Sequence, residues 1–202
     1  MLTDELVRQG WLKTPEIIRA FRKINRADFL PEGMKRLSEL NSPVEIGHGQ
    51  TISQPLTVAF MLELLEPRAG QRILDVGSGS GWTTALLSEI VGDKGRVYGV
   101  EIIPELKYFG EKNDSKYSFT KKGIAKFFLG DGSLGLKDEA PFDRILVSAA
   151  AGEVPEALKE QLKVRGVMVL PIESSIWKIT KKAKNEFREK EYPGFAFVPL
   201  VK

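Results

Sequence analysis

Cysteine is absent from this chain of 202 residues and histidine occurs once, at position 48. Without cysteine there are no disulfides, thiol nucleophiles or thiolate metal ligands, and one histidine cannot build a multi-histidine metal site. No metal is therefore expected. No apolar run approaches the ~20 residues that a membrane-spanning helix needs, so no membrane contact is expected either. The opening Met1-Leu2-Thr3-Asp4-Glu5 lacks the basic start and apolar core of a signal peptide, and a cytoplasmic setting is the default. The net charge of +3 is too mild to argue for a nucleic-acid partner. What remains is ordinary: 42% hydrophobic and 28% charged residues, enough chain to bury a core, and a length that fits one domain over residues 1–202, expected as a monomer.

The most informative stretch is Ile73-Leu-Asp-Val-Gly-Ser-Gly-Ser-Gly81. Ile73 to Val76 reads as a buried strand and the glycines as a tight turn. From Trp82 a helical pattern begins with Thr84, Ala85, Leu86, Leu87 and Ile90. A strand, a glycine turn and a helix N-terminus together make a site for an adenosine-type cofactor. The glycine spacing is G-x-G-x-G, which differs from the dinucleotide fingerprint, and no phosphate-cradling Lys-Ser or Lys-Thr follows. Asp75 just before the turn would repel a pyrophosphate and suits a cation. The pattern therefore favours S-adenosyl-L-methionine, held around Asp75, Gly77, Ser78, Gly79 and Gly81, with another nucleotide as the alternative.

Upstream, residues 3 to 24 read as two helices, with the Thr14 hydroxyl as a cap before Pro15. Ile17, Ile18, Phe21 and Ile24 share one face. Arg26 to Pro43 reads as irregular, anchored by Phe29, Leu30, Leu37 and Leu40. The glycine-rich and polar stretch Val44 to Pro55 runs into Leu56–Leu65, apolar nearly all round and so a buried helix. Pro67 and Gly70 end it. Downstream, strands are expected at Arg96–Glu101, Ala125–Leu129, Phe142–Ser148 and Val167–Leu170, with helices at Pro104 to about Lys116 and Pro155–Leu162. This alternation implies an α/β fold with a mostly parallel, doubly wound sheet covered on both faces. Trp177–Lys182 and Phe195–Leu200 read as a closing pair with an antiparallel strand, joined by a polar turn.

Three acids end three successive strands. Glu101 is placed to accept the ribose hydroxyls, against the alternative of an acid opening the next helix. Asp131, with Gly132 beside it, is placed to meet the adenine amino group, against a simple Asp-Gly turn. Ser53 could cap the helix beginning near Pro55 or act in catalysis. His48 reads as a tethered loop residue, Lys121-Lys122 and Lys181-Lys182 as solvated charges, and Asp143 and Arg144 as a local pair.

The segment Gly47-His-Gly-Gln-Thr-Ile-Ser-Gln-Pro55, followed by Leu-Asp-Val-Gly-Ser-Gly-Ser-Gly81, resembles the protein-L-isoaspartate (D-aspartate) O-methyltransferase family. So do Val-Tyr-Gly-Val-Glu101, Gly-Asp-Gly-Ser-Leu-Gly135, Ala-Pro-Phe-Asp143 and Pro-Gly-Phe-Ala-Phe-Val-Pro-Leu200, in order along nearly the whole chain. The resemblance implies a Rossmann-like class I methyltransferase sheet with an antiparallel C-terminal element. Residues 1–66 would supply N-terminal helices and the active-site segment, and 67–202 the core and closing strands. It implies methyl transfer from S-adenosyl-L-methionine to isoaspartyl residues of proteins or peptides. Ser53 becomes the active-site hydroxyl, and Gln50, Thr51, Ile52, Gln54 and Pro55 the substrate-side wall. Leu56-Thr57 and Ser38-Glu39-Leu40-Asn41 depart from the family's pattern, both on the substrate side. The alternatives are a methyltransferase of RNA or a small molecule and a non-catalytic S-adenosyl-L-methionine-binding module. Base methylation would call for an Asn/Asp-Pro-Pro-aromatic clamp after the fourth strand, where this chain has Ser148-Ala-Ala-Ala-Gly152.

Overall fold

A computed structural model describes residues 1–200, so the last two residues of the expected core lie outside it. The chain opens with helices α1 (Leu2–Arg8) and α2 (Pro15–Lys23), then 3-10 turns at Arg26–Phe29 and Glu32–Leu37. An antiparallel hairpin, β1 (Val44–Gly47) and β2 (Gln50–Ile52), leads into α3 (Pro55–Leu65). The core follows as β3 (Arg72–Val76), α4 (Trp82–Val91), β4 (Arg96–Glu101), α5 (Pro104–Ser115), β5 (Ala125–Leu129), β6 (Phe142–Val147), α6 (Glu156–Gln161) and β7 (Leu162–Ile172). It closes with β8 (Ser175–Ala183) and β9 (Glu186–Pro193).

One seven-stranded sheet runs in the order β5-β4-β3-β6-β7-β8-β9. β3 to β7 are parallel, and β8 and β9 are each antiparallel to the strand before. Because side chains alternate across a strand, the apolar runs split between two cores. Ile73, Val97, Leu146, Val167 and Val169 join one with α1 to α5. Leu74, Tyr98, Ile145, Val147, Met168 and Leu170 join the other with Leu158 of α6. The winding reverses at β3, whose neighbours β4 and β6 are reached in opposite directions. The carboxyl ends of β3 and β6 therefore open onto a crevice, the usual ligand position in such sheets.

Several readings of the N-terminal third are adjusted. Thr14 makes no cap bond. Its hydroxyl instead donates to Glu63 of α3 at 2.7 Å, and its N–H donates to the same carboxylate at 2.9 Å, tying α2 to α3. Ile17, Phe21 and Ile24 are buried, as are Phe29 and Leu30, but Leu40 is 50% exposed and anchors nothing. α3 is apolar on nearly every face, with Val58, Ala59, Met61, Leu62 and Leu65 buried. It stops where Glu66 turns left-handed (φ 53°) ahead of Pro67.

The largest correction lies at the C-terminus. The expected partner of β8, Phe195–Leu200, is not the closing strand. That strand is the polar stretch Glu186–Pro193, paired along β8 from Ala183↔Glu186 to Ser175↔Pro193. It stands at the sheet edge with charged side chains on both faces, so it lacks the apolar alternation that marks a half-buried strand. Charged edges of this kind discourage edge-to-edge association. Lys181 is not a solvated charge. It is 6% exposed, and its ammonium donates to the carbonyls of Lys159 and Glu160 at the end of α6. Asp143 and Arg144 do not pair with each other's side chains: Asp143 accepts from Arg72 N–H and Lys163, and the Arg144 guanidinium donates to the Glu66 and Asp143 carbonyls.

Candidate active site

The crevice over β3 and β6 is a cleft with about 780 Å³ of space, part of it open to solvent. Its floor is the glycine turn. Gly77, Gly79 and Gly81 all have positive φ, between 50° and 84°, a conformation that β-carbon-bearing residues rarely adopt. At Gly81 a β-carbon would also lie 2.7 Å from the Gly110 carbonyl of α5, so the close approach of turn and helix requires glycine. Asn113 of α5 donates to the Ser80 carbonyl at 3.1 Å and braces the same turn.

Glu101 closes this side. It is 6% exposed and lines the cleft. Its Oε2 accepts the Gly79 N–H at 2.9 Å, and its Oε1 accepts from Ile102 and Ile103 at 2.9 and 3.0 Å. A carboxylate offers about four acceptor sites. With three taken by backbone N–H groups, room remains for one further hydroxyl on Oε2. Ser78 also lines the cleft, and its hydroxyl is buried without a protein partner. Glu101 is the one ionisable side chain among the described lining residues, so the cleft is electrostatically negative and carries no cation to receive a pyrophosphate.

Asp75, read as a direct cation contact, stands elsewhere. Alternation places it on the α4 face of β3, fully buried and off the cleft lining. Its Oδ2 accepts the hydroxyls of Thr83 and Thr84 at 2.8 and 2.7 Å, so it fastens the first turn of α4 to the strand. Burial raises its pKa to about 6, against the pull of the two hydroxyls, and the nearby Glu101 charge adds a little. Asp131 is also off the lining. It caps a 3-10 turn by accepting the Ser133 N–H at 2.8 Å, while Gly132 beside it does face the cleft. A β-carbon on Gly132 would overlap Val76 at 2.4 Å.

The opposite wall is β2 and the residues after it. Gln50, Thr51, Ile52 and Ser53 line the cleft. Ser53 lies one residue before Gln54, the cap position of α3, so the hydroxyl is not the helix cap. Gln54 and Pro55 do not reach the cleft. The Gln54 amide donates to the Asn41 carbonyl (3.0 Å) and accepts from Thr57 (3.2 Å), and Pro55 is buried at the first turn of α3. His48 is exposed at the hairpin tip with φ 56°, outside the lining.

Sequence reasoning missed several walls. Ile46, Trp82 and Thr83 contribute, as do Ile102 and Ile103 after Glu101, and Ser148 and Ala149 after β6. So does the tail Val198–Leu200, held over the cleft by reciprocal bonds with Ala150 at 2.8 Å. The Phe-Val-Pro-Leu motif was the available signal for the tail. Among the described residues no group of three or more His, Cys, Asp or Glu side chains is placed to hold a metal, and no helix is long and apolar enough to cross a membrane.

A seven-stranded sheet of this order, with a glycine turn and an acid ending the next strand, defines a class I S-adenosyl-L-methionine-dependent methyltransferase fold. The profile of the protein-L-isoaspartate (D-aspartate) O-methyltransferase family matches residues 1–202, and the chain belongs to that family. It is 42% identical over 204 residues to protein-L-isoaspartate O-methyltransferase of Methanopyrus kandleri, covering 99% of this chain and 89% of that one. The counterpart from Ignicoccus hospitalis is 40% identical over 205 residues, covering 99% and 95%. A solved chain from Plasmodium falciparum, described as a protein-L-isoaspartate O-methyltransferase in complex with S-adenosyl-L-homocysteine, superposes with a TM-score of 0.88 at 27% identity, covering 99% of this chain and 96% of that one.

Proposed function

We propose that this protein methylates the α-carboxylate of L-isoaspartyl residues in damaged proteins and peptides, using S-adenosyl-L-methionine, and so initiates their repair. The observation that carries the site assignment is the electrostatics of the cleft: one carboxylate, Glu101, and no lining cation. When bound, the cofactor supplies a methyl group on a cationic sulfur. Glu101 accepts one ribose hydroxyl while its other acceptor sites hold the turn. The Ser78 hydroxyl is the neutral donor left free beside it. Gly77, Gly79 and Gly132 let the backbone come close.

The acceptor needs no base. An α-carboxylate has a pKa near 4 or below and is ionised at neutral pH. A cationic ligand for it would anchor the anion but lower its nucleophilicity, and the cleft has none. Ser53 donates one neutral hydrogen bond that orients the attacking oxygen, and Gln50, Thr51 and Ile52 shape the wall around it. Apolar Ile46, Ile52 and Trp82, with the tail Val198–Leu200, exclude water, which strengthens the attraction between carboxylate and sulfonium. The reading includes a monomer acting in the cytoplasm, where its cofactor is made.

The deciding experiment incubates the protein with labelled cofactor and an isoaspartyl peptide beside its normal aspartyl twin. Label should enter the isoaspartyl peptide alone, as a base-labile ester. Label in neither peptide, with cofactor binding intact, would overturn the isoaspartyl reading and leave a methyltransferase of another substrate or a binding module.

A further inference from the structure

Arg26 is 6% exposed, and no carboxylate hydrogen-bonds to it. Its terminal nitrogens donate instead to five backbone carbonyls from two separate segments. Nη1 reaches Leu37, Ser38 and Leu40 at 3.2–3.4 Å, and Nη2 reaches Ser42 at 2.9 Å and Ser53 at 3.2 Å. The guanidinium also lies 5.4 Å from the centroid of the Trp82 ring. Ser53 and Trp82 both line the cleft, the first on the substrate side and the second at the start of α4. A buried cation without an anion is expensive. Desolvation lowers the pKa of this arginine to about 10, and the more distant Glu39 opposes that only in part. Such a group is not needed to fill a core, and an apolar residue would do that at less cost.

We infer that Arg26 is a positioning residue for methyl transfer, fixing the backbone of Ser53 and of the Leu37–Ser42 loop relative to Trp82 so that the Ser53 hydroxyl meets the acceptor carboxylate. The inference rests on the isoaspartyl-methyltransferase reading. Only a planar fork suits this role. Its terminal N–H groups lie in one plane and reach carbonyls on two sides, whereas an ammonium presents three donors from one point. The loop it holds has a second fastening on its far side, where Asn41 accepts the Leu56 N–H through Oδ1 and the Gln54 amide through its carbonyl, both at 3.0 Å. All five hydrogen bonds of Arg26 go to the substrate side, and on the cofactor side it meets only the face of the Trp82 ring, so acceptor alignment and cofactor affinity should separate when the fork is removed and the charge kept.

The test is Arg26→Lys, which keeps the charge and removes the fork. With folding checked by thermal melt, kcat/KM for an isoaspartyl peptide should fall at least tenfold, mostly in kcat. The dissociation constant for S-adenosyl-L-homocysteine, by calorimetry, should stay within twofold. A kcat/KM within threefold of wild type overturns the inference. So does a loss of cofactor affinity in step with activity, which is the signature of general damage. Asn41→Ala is the second arm and carries the decision if Arg26→Lys does not fold: it should show the same split in milder form, and wild-type kinetics from it would overturn the inference. The wild-type enzyme serves as the control. If it fails to methylate the peptide, the functional reading falls. If it succeeds and both variants match it, only the role of Arg26 falls.

Discussion

The two walls of the cleft are held by different chemistry. The cofactor wall is nearly continuous in sequence: the end of β3, the glycine turn, the first turn of α4 and the end of β4. Carboxylates fasten it, with Glu101 gathering three N–H groups and Asp75 two hydroxyls. The substrate wall is assembled from distant pieces, Arg26, Leu37–Ser42 and Gln50–Gln54, and is fastened by donors to backbone carbonyls, with Arg26 at the centre. One wall is an anionic scaffold open to a cation. The other is a cationic scaffold whose charge is turned away, so that a neutral hydroxyl faces an anion. Changes to the first should act on cofactor affinity, and changes to the second on turnover.

Glu101→Ala should produce the largest effect. It removes the proposed ribose acceptor and strands the Gly79, Ile102 and Ile103 N–H groups. The expected loss of S-adenosyl-L-methionine affinity is about 1.5–3 kcal/mol, the range for hydrogen bonds to a charged group. Calorimetric titration measures it. An unchanged dissociation constant would break the comparison at its first term and free Glu101 for a purely structural role.

A difference in pH response sharpens the comparison. Behind the cofactor wall, Asp114 of α5 is fully buried. Its Oδ2 accepts the Thr120 N–H while Oδ1 has no partner, and burial, with the Glu111 charge adding, raises its pKa from 3.8 to about 7. An acid whose folded pKa is raised binds its proton more tightly in the native state. Its contribution to stability is therefore present below pH 4 and lost as pH rises toward 7. Asp75 acts in the same direction over a narrower window, up to about 6. The buried ion of the substrate wall, Arg26, titrates far above this range. Asp114→Asn keeps the acceptor for Thr120 and removes the charge. It should be more stable than wild type by about 2 kcal/mol at pH 8, less than the full linkage value because the amide nitrogen takes the buried place of Oδ1, which has no partner, and the gain should fade by pH 4. Denaturant melts at the two pH values measure it. A gain independent of pH would mean that Asp114 is ionised throughout.

The same division explains what could be read from the sequence. The cofactor wall was legible because its residues are neighbours in the chain and their types matter: glycines where φ is positive, an acid ending β4, an apolar run for each buried strand. Even so, the motif did not show that Asp75 bonds Thr83 and Thr84 on the α4 face, because strand alternation decides which face it takes and the motif does not. β9 was illegible for a related reason: Glu-Phe-Arg-Glu-Lys-Glu-Tyr on a sheet edge has no buried face to print a pattern. On the substrate wall Ser53 was visible as a motif residue. Gln54 was misplaced because its amide is engaged by Asn41, a partner too far along the chain for local patterning to reveal. Arg26 left no signal at all, since its acceptors are backbone carbonyls, which every residue carries.

The smallest effect expected is the most diagnostic. Ser53 faces the cleft and is not the helix cap, so Ser53→Ala should leave the melt within about 0.5 kcal/mol of wild type, as for a substitution away from any special feature. Had it been a cap, the loss would be about 1 kcal/mol. Turnover of the isoaspartyl peptide should fall by about tenfold, equivalent to 1.4 kcal/mol of transition-state stabilisation. Affinity for the cofactor should hardly change, because the hydroxyl lies on the wall opposite Glu101. Ser53→Gly separates orientation from packing. It loses the hydroxyl as alanine does, but it also frees a backbone that Arg26 holds through the Ser53 carbonyl. If the carbonyl tether is what positions this segment, glycine should be as slow as alanine and no slower. If the serine side chain stiffens the segment itself, glycine should be slower by a further few-fold. Wild-type turnover from both variants would take Ser53 out of the mechanism and leave the substrate wall with no group to orient the acceptor.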